Sequence, residues 1–157
     1  MARLLSLLLL LLSACAATPD GRWNVDRRGI ALGGYDPVSY HRPEGPQPGK
    51  PFLTAHHDGA NYQFTSEESR LRFLQSPEYY APRYGGWCAY AMVDGEKVEV
   101  DPTCFLLTEE GLFLFYRSLI LDTKERWERA GHAELKAEAD ARWDELEKAE
   151  ALLRAAR

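Results

Sequence analysis

The chain has 157 residues, a formal net charge of −5 and a hydrophobic fraction of 45%. That length suits one domain, and that fraction supplies a core. Mild acidity without a basic block excludes a nucleic-acid binder, whose affinity rests on clustered Lys and Arg.

Residues 1–15 read as a signal peptide. Arg3 gives a short positive start, and Leu4 to Leu12 is apolar apart from Ser6. The run is too short to span a bilayer but suits an export signal. It ends in Leu12-Ser13-Ala14-Cys15, which closely resembles the bacterial lipobox, with Cys15 as the lipidated residue. An ordinary signal cut near Ala17 is the alternative. The lipobox resemblance implies an envelope lipoprotein anchored to the membrane through Cys15. Ala16, in place of Asp, implies the outer membrane, facing the periplasm. Cys88 and Cys104 remain, and outside the cytoplasm they are a candidate disulfide.

Residues 16–28 read as a tether. Gly33-Gly34 and Asp36-Pro37 are turn chemistry, and residues 42–51 form a proline-rich loop. Phe52–Ala55 and Asn61–Phe64 read as a hairpin around Asp58-Gly59. Thr65 is the expected cap of a short helix, with Glu68 completing a capping box and Leu71 and Leu74 as its apolar stripe. Pro77 ends that helix near Ser76.

Trp87–Met92 fits a strand or a helix, and in both Cys88 and Met92 share a face. A helix would place Cys88 at its N-terminus, where the dipole favours a thiolate. Lys97–Val100 reads as a short strand and Asp101-Pro102 as a turn. Phe105–Thr108 and Leu112–Tyr116 form a second hairpin around Glu109-Glu110-Gly111, apolar enough for central strands. Asp122–Ala130 is a helix carrying Trp127, broken by Gly131.

The last helix runs from about Ala133 toward Ala156. Leu135, Ala139, Trp143, Leu146, Ala149 and Leu153 give it one apolar face. Its length suggests an end that projects or binds a partner protein. No internal repeat is evident. The expected fold is α+β: a small antiparallel sheet of hairpins, a short capped helix and a helical C-terminal third.

The candidate functional centre is Tyr84-Gly85-Gly86-Trp87-Cys88-Ala89-Tyr90-Ala91-Met92, a thiol after a double-glycine turn among aromatic rings. Tyr35, Asp36, Tyr84, Cys88 and Tyr90 are candidate ligand-binding residues. Cys88 and Met92 are candidate metal ligands, and thiolate with thioether selects a soft metal such as copper. The plain alternative for Cys88 is a small buried hydrophobe. His41, His56, His57 and His132 read as solvated or capping. No hydrolase triad or phosphate-binding glycine loop is present, so no catalytic residue is named.

Gly34-Tyr35-Asp36-Pro37-Val38-Ser39-Tyr40, Gly59-Ala60-Asn61-Tyr62-Gln63-Phe64-Thr65-Ser66, Tyr80-Ala81-Pro82 and Tyr84 to Ala91 follow one another in this order. With Asp101-Pro102, Leu112–Tyr116 and Trp127, they resemble the exported bacterial YHS-domain family. The resemblance covers residues 29–143 and leaves 144–157 as a helical extension. It implies the fold of small metal-binding modules. In shorter YHS domains cysteines follow Asp-Pro-Val, end the hairpin and enter the first helical turn. Here those places hold Ser39, Thr65 and Glu68 or Ser69, so that thiolate set is missing.

The expected function is a non-enzymatic metal- or small-ligand-binding module centred on Cys88. The alternatives are an assembly lipoprotein that binds a partner through its C-terminal helix, and a thiol-redox protein using Cys88 and Cys104.

Overall fold

The computed structural model describes residues 21–156. The expected signal peptide and Cys15 lie outside them. Among the described residues, two antiparallel hairpins and a set of helices make the expected α+β fold. Strand β1 (Lys50–His57) pairs with β2 (Ala60–Phe64), and β3 (Asp101–Thr108) pairs with β4 (Gly111–Phe115). The helices are α1 (Glu67–Gln75), α2 (Pro77–Tyr80), α3 (Ala89–Met92), α4 (Thr123–Ala130) and α5 (His132–Ala155). Asp58 and Gly59 turn the first hairpin with φ of 45° and 88°, as that dipeptide favours.

The chain is built twice from one ββα unit, against the expectation of no repeat. In the first hairpin Lys50 faces Phe64, and after an irregularity Thr54 faces Gln63; in the second, Asp101 faces Phe115 and Phe105 faces Leu114. The register and its irregularity are thus the same in both. Each unit begins with three consecutive residues at positive φ. These are Leu32, Gly33 and Gly34 (57°, 58°, 85°) and then Tyr84, Gly85 and Gly86 (53°, 61°, 83°). A parallel bridge accompanies each turn, Ile30 with Asn61 and Pro82 with Leu112.

The cores repeat too. Tyr62 and Phe64 of β2 pack on Phe73 of α1, with ring centroids 4.8 and 5.3 Å apart. Phe113 and Phe115 of β4 pack on Trp127 of α4 at 6.1 and 5.7 Å. Strand β4 separates the two cores: Leu112 and Leu114 face the first, and Phe113 and Phe115 face the second. Side chains alternate across a strand, so a strand buried on both faces must be apolar throughout. That is why the run at 112–115 is uninterrupted.

Several local expectations give way to longer-range contacts. Ser66, not Thr65, caps α1, accepting from the Ser69 amide at 3.1 Å. Leu71 and Leu74 are exposed, and α1 buries Ser69 and Phe73 instead. Residues 97–100 form no strand. Asp101-Pro102 opens β3 rather than turning the chain; the first position of a strand tolerates proline. Trp87–Met92 resolves into the single turn α3 with Cys88 at its N-cap.

Helix α5 lies along the second unit. Leu135, Ala139, Trp143 and Leu146 join its core, whereas Ala149 and Leu153 are exposed. Arg22 holds Glu147 at 2.7 Å, and Lys97 pairs with Glu150. The helix therefore stays docked past residue 144, through Leu146, Glu147 and Glu150, and residues 151–156 are exposed. The body also begins earlier than residue 29, because the Asn24 amide donates to the Gly85 carbonyl at 2.8 Å and Val25 bridges Ala31.

Candidate functional site

The two double-glycine turns deliver two side chains to equivalent places, Asp36 in the first unit and Cys88 in the second. The Asp36 amide donates to the Gln47 carbonyl at 2.9 Å, and the Cys88 amide donates to the Val98 carbonyl at 3.0 Å. Each side chain then receives the backbone amide of the residue that ends its hairpin. The Thr65 amide donates to Asp36 Oδ2 at 2.9 Å, and the Tyr116 amide donates to Cys88 Sγ at 3.3 Å. A hydroxyl from the following helix completes each contact: Ser69 to Asp36 Oδ2 at 2.6 Å, and Thr123 with Cys88 Sγ at 3.4 Å.

Asp36 is fully buried. Besides Ser69 and the Thr65 amide, it accepts from the Thr65 hydroxyl at 2.7 Å and the Val38 amide at 2.9 Å. A buried carboxylate needs such donors to offset its lost hydration. Ser39 adds to the same knot, donating its hydroxyl to the Asp36 carbonyl at 2.6 Å and accepting from the Gln47 amide at 2.8 Å. Asp36 thus ties the entry loop, the end of the hairpin and α1 together.

Cys88 is also fully buried. Its proton can be followed. The Thr123 hydroxyl donates to the Tyr116 carbonyl at 2.8 Å, and one hydroxyl has one proton to give. The Cys88 thiol therefore donates to Thr123 Oγ1 while Sγ accepts from the Tyr116 amide. The three groups close a ring that uses the thiol form.

The remaining candidates are dispersed. Met92 is buried in the second core. Tyr84 is buried, and its hydroxyl donates to Asp140 at 2.9 Å. Burial, then that carboxylate, pushes its phenol well above the usual range. Tyr35 and Tyr90 are half-buried packing residues of the first and second cores. A hollow of about 280 Å³ borders Ile30, Leu32 and Gly33, and one of about 330 Å³ borders Pro82, Tyr84 and Gly85. Of the five candidate ligand residues, only Tyr84 lines either hollow. Cys88 and Cys104 are free thiols with separate partners in place of the considered disulfide. Cys104 Sγ faces the Asp122 carboxylate at 3.7 Å, and burial, then that anion, pushes its thiol up to about 11.

The histidines are held locally. His132 accepts from the Trp127 indole at 2.9 Å and meets Glu110 at 3.0 Å. His56 pairs with Asn61, and His57 lies 4.0 Å from Glu78. His41 stacks against Tyr79 and Tyr80.

These residues do not fit a soft metal. Ligation needs a thiolate with a free lone pair, whereas the Cys88 thiol is used within the fold. Among the described residues, no group of three or more His, Cys, Asp or Glu is arranged to hold a metal ion. Sequence reasoning missed the partners, Thr65, Ser69, Tyr116 and Thr123. The signal for the first two was available: hydroxyl residues stand where the resemblance expects cysteines. No family model, curated protein or solved structure matches the chain.

Proposed function

We propose that this protein is a lipid-anchored, YHS-like envelope protein that acts as a non-enzymatic scaffold, through its surface rather than through a ligand at Cys88. The observation that carries this reading is the equivalence of Asp36 and Cys88. Both junctions are closed by the chain's own hydrogen-bonding groups, at 2.6–2.9 Å around Asp36 and 3.3–3.4 Å around Cys88.

The YHS-like assignment is supported by convergence. Position 39 is distant in sequence from 65 and from 68 or 69, and the resemblance gives these places to one ligand set. Here the Thr65 and Ser69 hydroxyls donate to the Asp36 carboxylate, and the Ser39 hydroxyl donates to the Asp36 backbone carbonyl. A hydroxyl–carboxylate knot stands where a thiolate–metal knot would, and it joins the same loop, hairpin and helix.

Anchoring rests on the Cys15 lipobox. Among the described residues, no helix is long and apolar enough to cross a membrane. Partner binding through α5 falls to its last exposed turn, with Leu152 and Leu153.

Metal analysis of protein purified under reducing conditions tests the reading. Wild type and Cys88→Ser are expected to carry the same substoichiometric copper and zinc. One equivalent of either metal in wild type that Cys88→Ser loses would restore the metal-binding reading.

A further inference from the structure

The two units differ at one junction. In the first, Thr65 ends the hairpin contact and Ser66 caps α1 at once. In the second, residues 117–121 stand between Tyr116, the equivalent of Thr65, and Asp122, the cap of α4. The first unit shows that the fold closes this junction without such an insertion.

The insertion is a built loop. Arg117 bridges Asp122, and the Ser118 amide donates to the Leu121 carbonyl at 2.8 Å. At its base the Arg117 guanidinium reaches Asp101 and Thr103, both at 2.8 Å. At its tip are Leu119 and Ile120, 105% and 96% exposed. Two adjacent aliphatic side chains held wholly in water are costly where the fold does not require them. They form a convex tip rather than a groove or a flat face.

We propose that Leu119 and Ile120 insert into the lipid bilayer to which the chain is anchored, a second contact that fixes its orientation on that surface. This rests on the reading of Cys15 as lipidated. Residues 16–20 separate Cys15 from Gly21, so the chain can span roughly 20 Å between them. Gly21 is joined to the tip through a short series of contacts. Its carbonyl accepts from Lys97 at 2.9 Å, and the neighbouring Val98 accepts from the Cys88 amide at 3.0 Å. Cys88 in turn holds Tyr116 and Thr123, the residues that bracket the loop. A tether of that length keeps the body close to the bilayer, and an aliphatic tip held in water is the surface feature that a bilayer accommodates.

The test uses the full lipidated chain in phosphatidylethanolamine–phosphatidylglycerol vesicles. A nitroxide is attached at Ile120→Cys, with Glu44→Cys as the control in the exposed proline-rich loop. Cys88 and Cys104, 0% and 2% exposed, are masked by the fold during labelling. On reconstitution the label at 120 is expected to gain at least threefold in relaxation by oxygen over a water-soluble nickel complex, and the label at 44 to stay unchanged. Protein that floats with the vesicles while the label at 120 remains in water overturns the insertion and leaves the anchor standing; the tip would then be free for a protein partner. Protein that does not float overturns the anchor and the insertion together.

Discussion

Asp36 and Cys88 occupy the same place in two copies of one ββα unit. Each takes the amide that ends its hairpin, at 2.9 Å from Thr65 and 3.3 Å from Tyr116, and each meets a hydroxyl of the next helix. One does this as a carboxylate with four donors, the other as a thiol that both donates and accepts. The difference sets how each tolerates substitution. Asp36→Asn replaces an acceptor by a donor facing the Thr65 and Ser69 hydroxyls, and should cost about 3 kcal/mol. Cys88→Ser keeps a donor and an acceptor, whereas Cys88→Ala leaves the Tyr116 amide without its partner at a cost of about 1–3 kcal/mol. Urea unfolding followed by tryptophan fluorescence should rank the losses Asp36→Asn, then Cys88→Ala, then Cys88→Ser. Equal midpoints for Ala and Ser at position 88 would refute the ring.

Cys104 should be an unreactive thiol. With its pKa pushed up to about 11 by burial and by Asp122, roughly one molecule in a thousand carries the thiolate at pH 8. Asp122→Asn keeps an α4 cap but removes the anion. Iodoacetamide labelling of Cys104, read by mass spectrometry, should accelerate severalfold in that variant. An unchanged rate would mean that Asp122 does not act on the thiol.

His41 gives the fold an acid-sensitive point. Burial lowers its pKa, and its Nε2 is buried without a hydrogen-bond partner. Above the ordinary histidine value of about 6.5, folded and unfolded chains are both neutral at this position. As pH falls below that, the unfolded chain binds the proton first, so stability is lost until the folded pKa is passed. His41→Phe keeps a ring between Tyr79 and Tyr80 and removes the titration. Unfolding midpoints between pH 7 and 5 should fall less steeply in that variant, and identical slopes would exclude His41 as a source.

Helix α5 should tolerate shortening only at its last turn. Ending the chain after Glu150 removes the exposed Leu152 and Leu153 and should change stability by under about 0.5 kcal/mol. Ending it after Trp143 also removes Leu146 from the second core and Glu147 from Arg22, and should cost about 2 kcal/mol. Equal stability of the two truncations would mean that the helix is not docked past Trp143.

Much of the fold was legible where the signal was local. Asp58-Gly59 specifies a hairpin turn by backbone preference alone, and Gly131 ends α4 where expected. The Thr65 cap failed because Asp36, distant in sequence, takes that hydroxyl, leaving Ser66 to cap. The duplication was hidden because the two turns share little beyond their glycines. Their likeness lies in φ signs and hydrogen bonds, and these survive the exchange of Leu32 for Tyr84 and of Asp36 for Cys88. Cys88 was legible as an unusual thiol, but its partners Tyr116 and Thr123 come from residues that no local pattern joins to it. Gly85 was legible as a turn, yet its second constraint was not: a Cβ there would strike the Arg22 carbonyl and the Trp143 ring.

The most direct test of Cys88 as a latch of the fold is the urea midpoint of wild type and Cys88→Ser with and without saturating copper(I). A metal that binds the native state raises its stability in proportion to the logarithm of metal over Kd. The midpoints are expected to be unmoved by copper(I) in both proteins. A rise in wild type that Cys88→Ser abolishes would contradict the account.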